Sequence, residues 1–173
     1  MTVEPRRSSP ARAVVALVLF LAIAYAVAGL GATATISNVQ GWYATADKAA
    51  WSPPNGLFAP VWIVLYTLMA VAAWLVWRRT DAPPRARRTA LAWYIAQLVL
   101  NAFWTPVFFG LYPAAGRPAL WIAFAIIAAL DVAIPITALR FRPLSTTAAW
   151  LLLPYGVWVA YATTLNGAVA WLN

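Results

Sequence analysis

Five apolar runs, roughly 13–36, 57–77, 89–110, 118–139 and 147–171, take up most of this 173-residue chain. Crossing the hydrocarbon core of a bilayer takes about 20 consecutive apolar residues, so each run is long enough to span. Charged residues make up only 9% of the sequence, against about 25% in soluble domains. What remains outside the spans is too short to form a separate soluble domain. The sequence therefore predicts an all-α integral membrane protein, a bundle of five transmembrane helices. Residues 1–12 form a basic tail and 13–173 one membrane domain. The first run follows Arg6, Arg7 and Arg12, as in a signal peptide, and "AVAGLGATA" offers small-residue cleavage sites. Its apolar length, about 24 residues, exceeds the usual 7–15 of a signal peptide's core, which favours a retained span.

Composition narrows the chemistry. The chain has no Cys and no His, which removes thiolate nucleophiles, disulfides, histidine metal sites and the common axial haem ligands. Its acids are Glu4, Asp47, Asp81 and Asp131, too scattered for a carboxylate metal cluster, so no metal site is expected. Neither a phosphate-binding loop nor a nucleophile–base arrangement is present. The net charge of +8 lies in short loops. That placement points to topology and anionic lipid headgroups, with no nucleic-acid partner.

The loop charges alternate. Arg6, Arg7 and Arg12, then Arg78, Arg79, Arg85, Arg87 and Arg88, then Arg140 and Arg142 fall on one side, against Lys48 and Arg117 on the other. The positive-inside rule places the N-terminus in the cytoplasm and the C-terminus outside. Helical spans favour a cytoplasmic (inner) membrane. Trp77, Trp93 and Trp150 then stand at the inner headgroup level, and Trp42, Trp51, Trp121 and Trp171 at the outer one, as an aromatic belt. Residues 37–56 make the longest outer connection, and Trp42, Tyr43 and Trp51 within it argue for an ordered lid.

Trp62, Trp104 and Trp158 do not suit the belt, because they lie inside spans, and Asn101 is an amide at depth. Trp62, Tyr66, Met69 and Ala73 recur at helical spacing on the second span, as do Gln97, Asn101, Trp104 and Phe108 on the third. On the fifth span Pro154, Trp158 and Ala162 share a stripe flanked by Tyr155, Tyr161 and Asn166. Amides and phenols are costly against lipid, so these stripes are expected to face one another. Two readings of that interior stay open. One is interhelical packing and hydrogen bonding alone. The other is a pocket for a planar, largely apolar ligand, favoured because membrane packing interfaces use Gly, Ala and Ser more than stacked rings. Trp62 lies about 7–8 Å inside its span at 1.5 Å per residue, so such a pocket opens toward the lid. Pro106, Pro135 and Pro154 are expected to kink their helices and free carbonyls at Ala102, Asp131 and Trp150. Asp131 is the only acid inside a span, a functional candidate by its position, expected to be protonated, or hydrogen-bonded to an amide such as Gln97 or to water.

Three segments carry a family resemblance: "WYATADKAAWSPPNGLFAPVWIVLYTLMA", "QLVLNAFWTPVFFG" and "LPYGVWVAYATTLN". They resemble the signature segments of the TspO/MBR family, the tryptophan-rich sensory proteins and translocator proteins, over residues 13 to 170. The resemblance implies a five-helix bundle, commonly a homodimer, with a ligand pocket under the first loop. Its implied ligands are porphyrins (protoporphyrin IX, haem), with sterols and benzodiazepine- or isoquinoline-type drugs in some members, and no required cofactor. Carried across by motif, the ligand-binding residues are Trp62, Tyr66, Asn101, Trp104, Trp158 and Ala162, with Trp51, Pro53 and Pro54 holding the lid. For members that degrade protoporphyrin in light, the implied reactive residues are Trp62 and Trp158. Arg142 is the last basic residue, so a sterol motif of Leu/Val, Tyr and Lys/Arg is not completed in the fifth span. Asn55 and Gly56 follow the Pro-Pro pair where the family commonly carries an aromatic residue or His. The functional expectation is tetrapyrrole sensing, transport or light-dependent degradation. The alternative is a small transporter or channel subunit for an apolar or cationic solute that uses Asp131, and a third reading is a scaffold whose rings only pack.

Overall fold

A computed structural model describes residues 9–173. Arg6, Arg7 and most of the basic tail lie outside these described residues. Helix α1 runs Pro10–Val39, capped by Ser9, whose hydroxyl accepts the Arg12 amide. The lid follows, with a single turn, α2 (Trp42–Thr45), then an extended stretch and a 3₁₀ turn at Asn55–Leu57. Helices α3 (Phe58–Trp77) and α4 (Pro84–Thr105) come next, and α4 passes into a π turn at Pro106–Gly110. A short α5 (Tyr112–Ala115) leads to α6 (Arg117–Phe141). The chain finishes with α7 (Thr146–Leu151) and α8 (Leu153–Leu172). Five helical segments, counting the π turn with α4 and α7 with α8, are long and apolar enough to cross a membrane.

The segments close into a ring. Helix α1 lies between α3 and α4, α4 packs on α6, α6 on α8, and α7 and α8 return to α3. One end of the bundle carries the lid. The other carries the arginines of the α3–α4 and α6–α7 connections. Small residues let the helices approach near the arginine end, where Ala70, Ala72, Ala73, Val76, Ala90 and Ala148 are all fully buried. Without a hydrophobic drive between helices in lipid, such close packing is a main source of association.

Sequence and structure differ at several boundaries. The helices run past the apolar runs, because a hydropathy limit stops at Arg85–Arg88 or Arg140 while the backbone continues in helix. Helix α1 reaches Val39, which trims the expected 37–56 lid at its start. It stops where Gly41 passes Ser37, whose carbonyl would sit 3.1 Å from any Cβ at 41. Pro154 is not an interior kink: the fifth span breaks at Leu152, and Pro154 occupies the first turn of α8, where its missing N–H costs nothing. Pro106 opens the π turn, with the Leu111 amide donating to the Pro106 carbonyl at 3.0 Å. Pro135 is the proline that sits inside a continuous helix.

Candidate aromatic site beneath the lid

The site grows from three helices. On α3, Trp62 and Tyr66 stand one turn apart, with ring centroids 5.5 Å apart. On α4, Trp104 brings its ring to 6.5 Å from Trp62, and one turn on it stacks on Phe108 at 5.7 Å. On α8, Tyr155 lies edge-on to Trp62 at 6.3 Å. Rings in this range gain from offset and edge contacts beyond their buried area.

Polar tips between the rings are paired. The Tyr66 hydroxyl donates to Asn101 Oδ1 at 2.6 Å, and Asn101 Nδ2 donates to the Tyr155 hydroxyl at 3.1 Å. One amide thus ties α3, α4 and α8 together while only 2% exposed. A second amide repeats the device nearer the lid. Trp104 Nε1 donates to Asn166 Oδ1 at 3.0 Å, and Asn166 Nδ2 donates to the Leu120 carbonyl of α6 at 3.1 Å. Each pairing matters because an orphaned polar group in this environment costs about 1–3 kcal/mol. Trp158 Nε1 has no partner among the described residues, although the atom is buried. Its ring packs on Phe58 and Tyr161, each at 5.7 Å.

The lid is fastened at three points. Trp42 lies on Tyr112 at 4.0 Å and donates its indole N–H to the Phe109 carbonyl of the π turn at 2.9 Å. Asn173 clasps the Asp47 backbone, accepting its amide at 3.0 Å and donating to its carbonyl at 2.9 Å. Trp51 donates to Thr164 Oγ1 at 3.2 Å, while Tyr161 donates to the Trp51 carbonyl at 2.7 Å. Tyr43 is buried against Phe108 and Phe109, and that burial pushes its phenol pKa above the usual value.

Of the residues expected from sequence, Trp62, Tyr66, Asn101 and Trp104 form one contiguous cluster. Ala162 is buried on α8, and Trp158 belongs to an adjoining cluster through Phe58. Trp51 is not a wall of the cluster. It is 57% exposed and anchored to α8, while Pro53 and Pro54 carry the chain from it into the 3₁₀ turn. Trp42, expected both at the outer headgroup level and in the ordered lid, is tied into the lid by its indole bond to the Phe109 carbonyl. Sequence reasoning left Tyr155, Phe108 and Phe58 out of the binding set. Tyr155 stands one turn from Trp158 on the same helix, which was the available signal. Asp131 bonds to neither Gln97 nor another amide: Gln97 turns toward Met69 of α3 at 3.9 Å, whereas Asp131 meets Thr163 of α8 at 2.7 Å. The two residues belong to different helix seams. Among the described residues no group of acids could hold a metal ion.

Comparison with known proteins agrees with this architecture. The chain is 35% identical over 147 residues to a translocator protein of Sus scrofa, covering 83% of each chain. It is 35% identical over 164 residues to the tryptophan-rich protein TspO of Archaeoglobus fulgidus, covering 92% of this chain and 95% of the relative. A tryptophan-rich sensory protein of Cereibacter sphaeroides is 35% identical over 155 residues, covering 90% and 91%. Residues 16–172 match the sequence model of the TspO/MBR family, and this multi-pass membrane protein belongs to that family.

Proposed function

We propose that this protein binds a porphyrin in the aromatic site beneath the lid and serves tetrapyrrole sensing, transport or light-dependent breakdown. The observation that carries the reading is the Trp62–Tyr66–Trp104–Tyr155 cluster, with flat apolar faces and its polar tips already paired. A planar ring system exchanges ring–ring contacts with such walls without stranding a polar group. The unpartnered Trp158 indole N–H adds one donor for an acceptor on the ligand's edge. No cofactor is required for binding. If breakdown occurs, Trp62 and Trp158 are the electron-rich rings beside the ligand, and light and oxygen supply the driving chemistry. The lid faces the outside of a cytoplasmic membrane, and the protein works as a homodimer.

Titration of the purified protein with protoporphyrin IX, following Trp quenching and the Soret band, tests this directly. Saturable binding is expected, weakened about tenfold or more in Trp62→Ala, a loss of about 1.4 kcal/mol or more. Absence of saturable binding would overturn the proposal. Unaltered affinity in both Trp62→Ala and Trp158→Phe would overturn the site. Illumination of the complex with product analysis then separates a carrier from a degrading protein.

A further inference from the structure

The arginine end of the bundle carries charge that its own acids do not neutralise. Among the described residues Asp81 is the one acid at this end, and Arg79 takes it in a two-pronged pair at 3.1 and 2.8 Å. Arg79 also donates to the Leu144 carbonyl at 2.7 Å, which ties the α3–α4 connection to the α6–α7 connection. Arg87 turns to the Arg79 carbonyl at 3.3 Å, and Arg78 lies over the Trp74 ring at 4.5 Å. The fold itself holds these three side chains. Arg85, Arg88, Arg140 and Arg142 differ from them: all are exposed, and no described carboxylate pairs with any of them.

The topology brings those four together. Helices α4 and α6 pack on each other, and α4 begins where α6 ends, so Arg85 and Arg88 stand at the same end of the seam as Arg140 and Arg142. A guanidinium stays charged in proteins, and like charges gathered at one place repel. Below them both helices turn apolar side chains outward. Arg88, Ile95 and Val99 share a face of α4 by their spacing, and Ile95 is 58% and Val99 46% exposed. On α6, Val132 and Leu139 are 61% and 65% exposed. Both helices are long and apolar enough to span, so such faces meet acyl chains. The seam thus sets cations at the headgroup level over an apolar surface.

We propose that this end of the α4–α6 seam binds an anionic phospholipid, with its phosphate between Arg88 and Arg140 and its acyl chains along the outward side chains of both helices. The pose keeps the headgroup at the interface and the chains in the hydrocarbon. Charge selects the occupant. The planar fork of an arginine matches phosphate oxygens two at a time. A zwitterionic lipid offers the same phosphate but brings its own cation, which the unpaired arginines repel. A small soluble anion offers charge without the apolar body. The site lies at the opposite end of the bundle from the lid and does not depend on porphyrin binding.

The test is native mass spectrometry of the purified protein in detergent, titrated with dioleoyl phosphatidylglycerol or with dioleoyl phosphatidylcholine. Phosphatidylglycerol should bind about tenfold or more tighter than phosphatidylcholine, and glycerol phosphate should not displace it. In a double variant, Arg88→Gln with Arg140→Gln, the two lipids should bind alike, while Arg78→Gln should keep the preference. Arg140→Gln alone, at an exposed helix end, should lose part of the preference, which keeps the test open if the double variant fails to fold. Equal affinity for both lipids in the wild-type protein would overturn the proposal. So would displacement by glycerol phosphate, or a preference that survives in the double variant. A preference lost equally in Arg78→Gln would also overturn it, because the cause would then be a diffuse field and not a site.

Discussion

The lid end and the arginine end of this bundle are held together by different forces. Near the arginines, Ala70, Ala72, Ala73, Ala90 and Ala148 bring helix backbones close around the buried Phe141, and the buried Thr137 hydroxyl there donates to the Ala133 carbonyl within its own helix. Toward the lid, the interior is Trp62, Tyr66, Asn101, Trp104, Tyr155 and Asn166, joined by directional hydrogen bonds across four helices. Close packing gives a rigid base that resists change in volume. Rings and amides give a region that can trade one flat partner for another, provided each polar tip stays paired. A ligand site belongs in the second kind of interior.

The sharpest way to break that contrast is Asn101→Leu. It strands the Tyr66 and Tyr155 hydroxyls together, and each costs about 1–3 kcal/mol. Thermal unfolding in detergent should show the largest loss of any single change discussed here, and an unchanged midpoint would mean that the amide network does not hold the lid half together. Ala72→Leu probes the other end. Overfilling a site with no free volume should cost about 1–3 kcal/mol, with protoporphyrin affinity retained in the folded fraction. If affinity falls in step with stability, the two halves are not separable.

Trp42→Phe should cost about 1 kcal/mol, read as faster proteolysis of the lid with little change in global unfolding. The smallest effect concerns pH. Burial raises the Tyr43 pKa, so its contribution to lid closure is complete below the ordinary phenol value of about 10 and is lost as pH climbs through the folded value. Acrylamide quenching of the lid tryptophans should therefore increase at alkaline pH in the wild type. In Tyr43→Phe that increase should be smaller, and an identical alkaline response would remove Tyr43 from the account.

How far the sequence could be read follows from the same contrast. Apolar run length reveals spans because the bilayer is a solvent of fixed thickness, so all five were visible. Helical spacing likewise revealed that Trp62 and Tyr66 share a face, and that Asn101 and Trp104 do. Spacing cannot tell which seam a face enters, and for that reason Asp131 was paired with Gln97 when its partner is Thr163. Sequence places Trp42 at the outer interface and in the lid, but nothing local to it announces its bond to the Phe109 carbonyl across the bundle. Pro154 could be seen as a break, but whether a proline kinks a helix or begins one depends on the turn at Leu152, which rests on tertiary contacts.

The π turn at Pro106–Gly110 makes length, more than identity, the guarded quantity in this part of the chain. It takes up one residue more than an α turn, so everything after it is rotated by about 100° from the phase that α4 would have carried forward. Trp104 and Phe108 stack on the inner side, and within the π turn the Phe109 carbonyl is presented to Trp42. Apolar substitutions between 106 and 110 leave this phase alone. Deleting a single residue there would restore an ordinary helix and swing the lid's anchor point a quarter turn away from its partner.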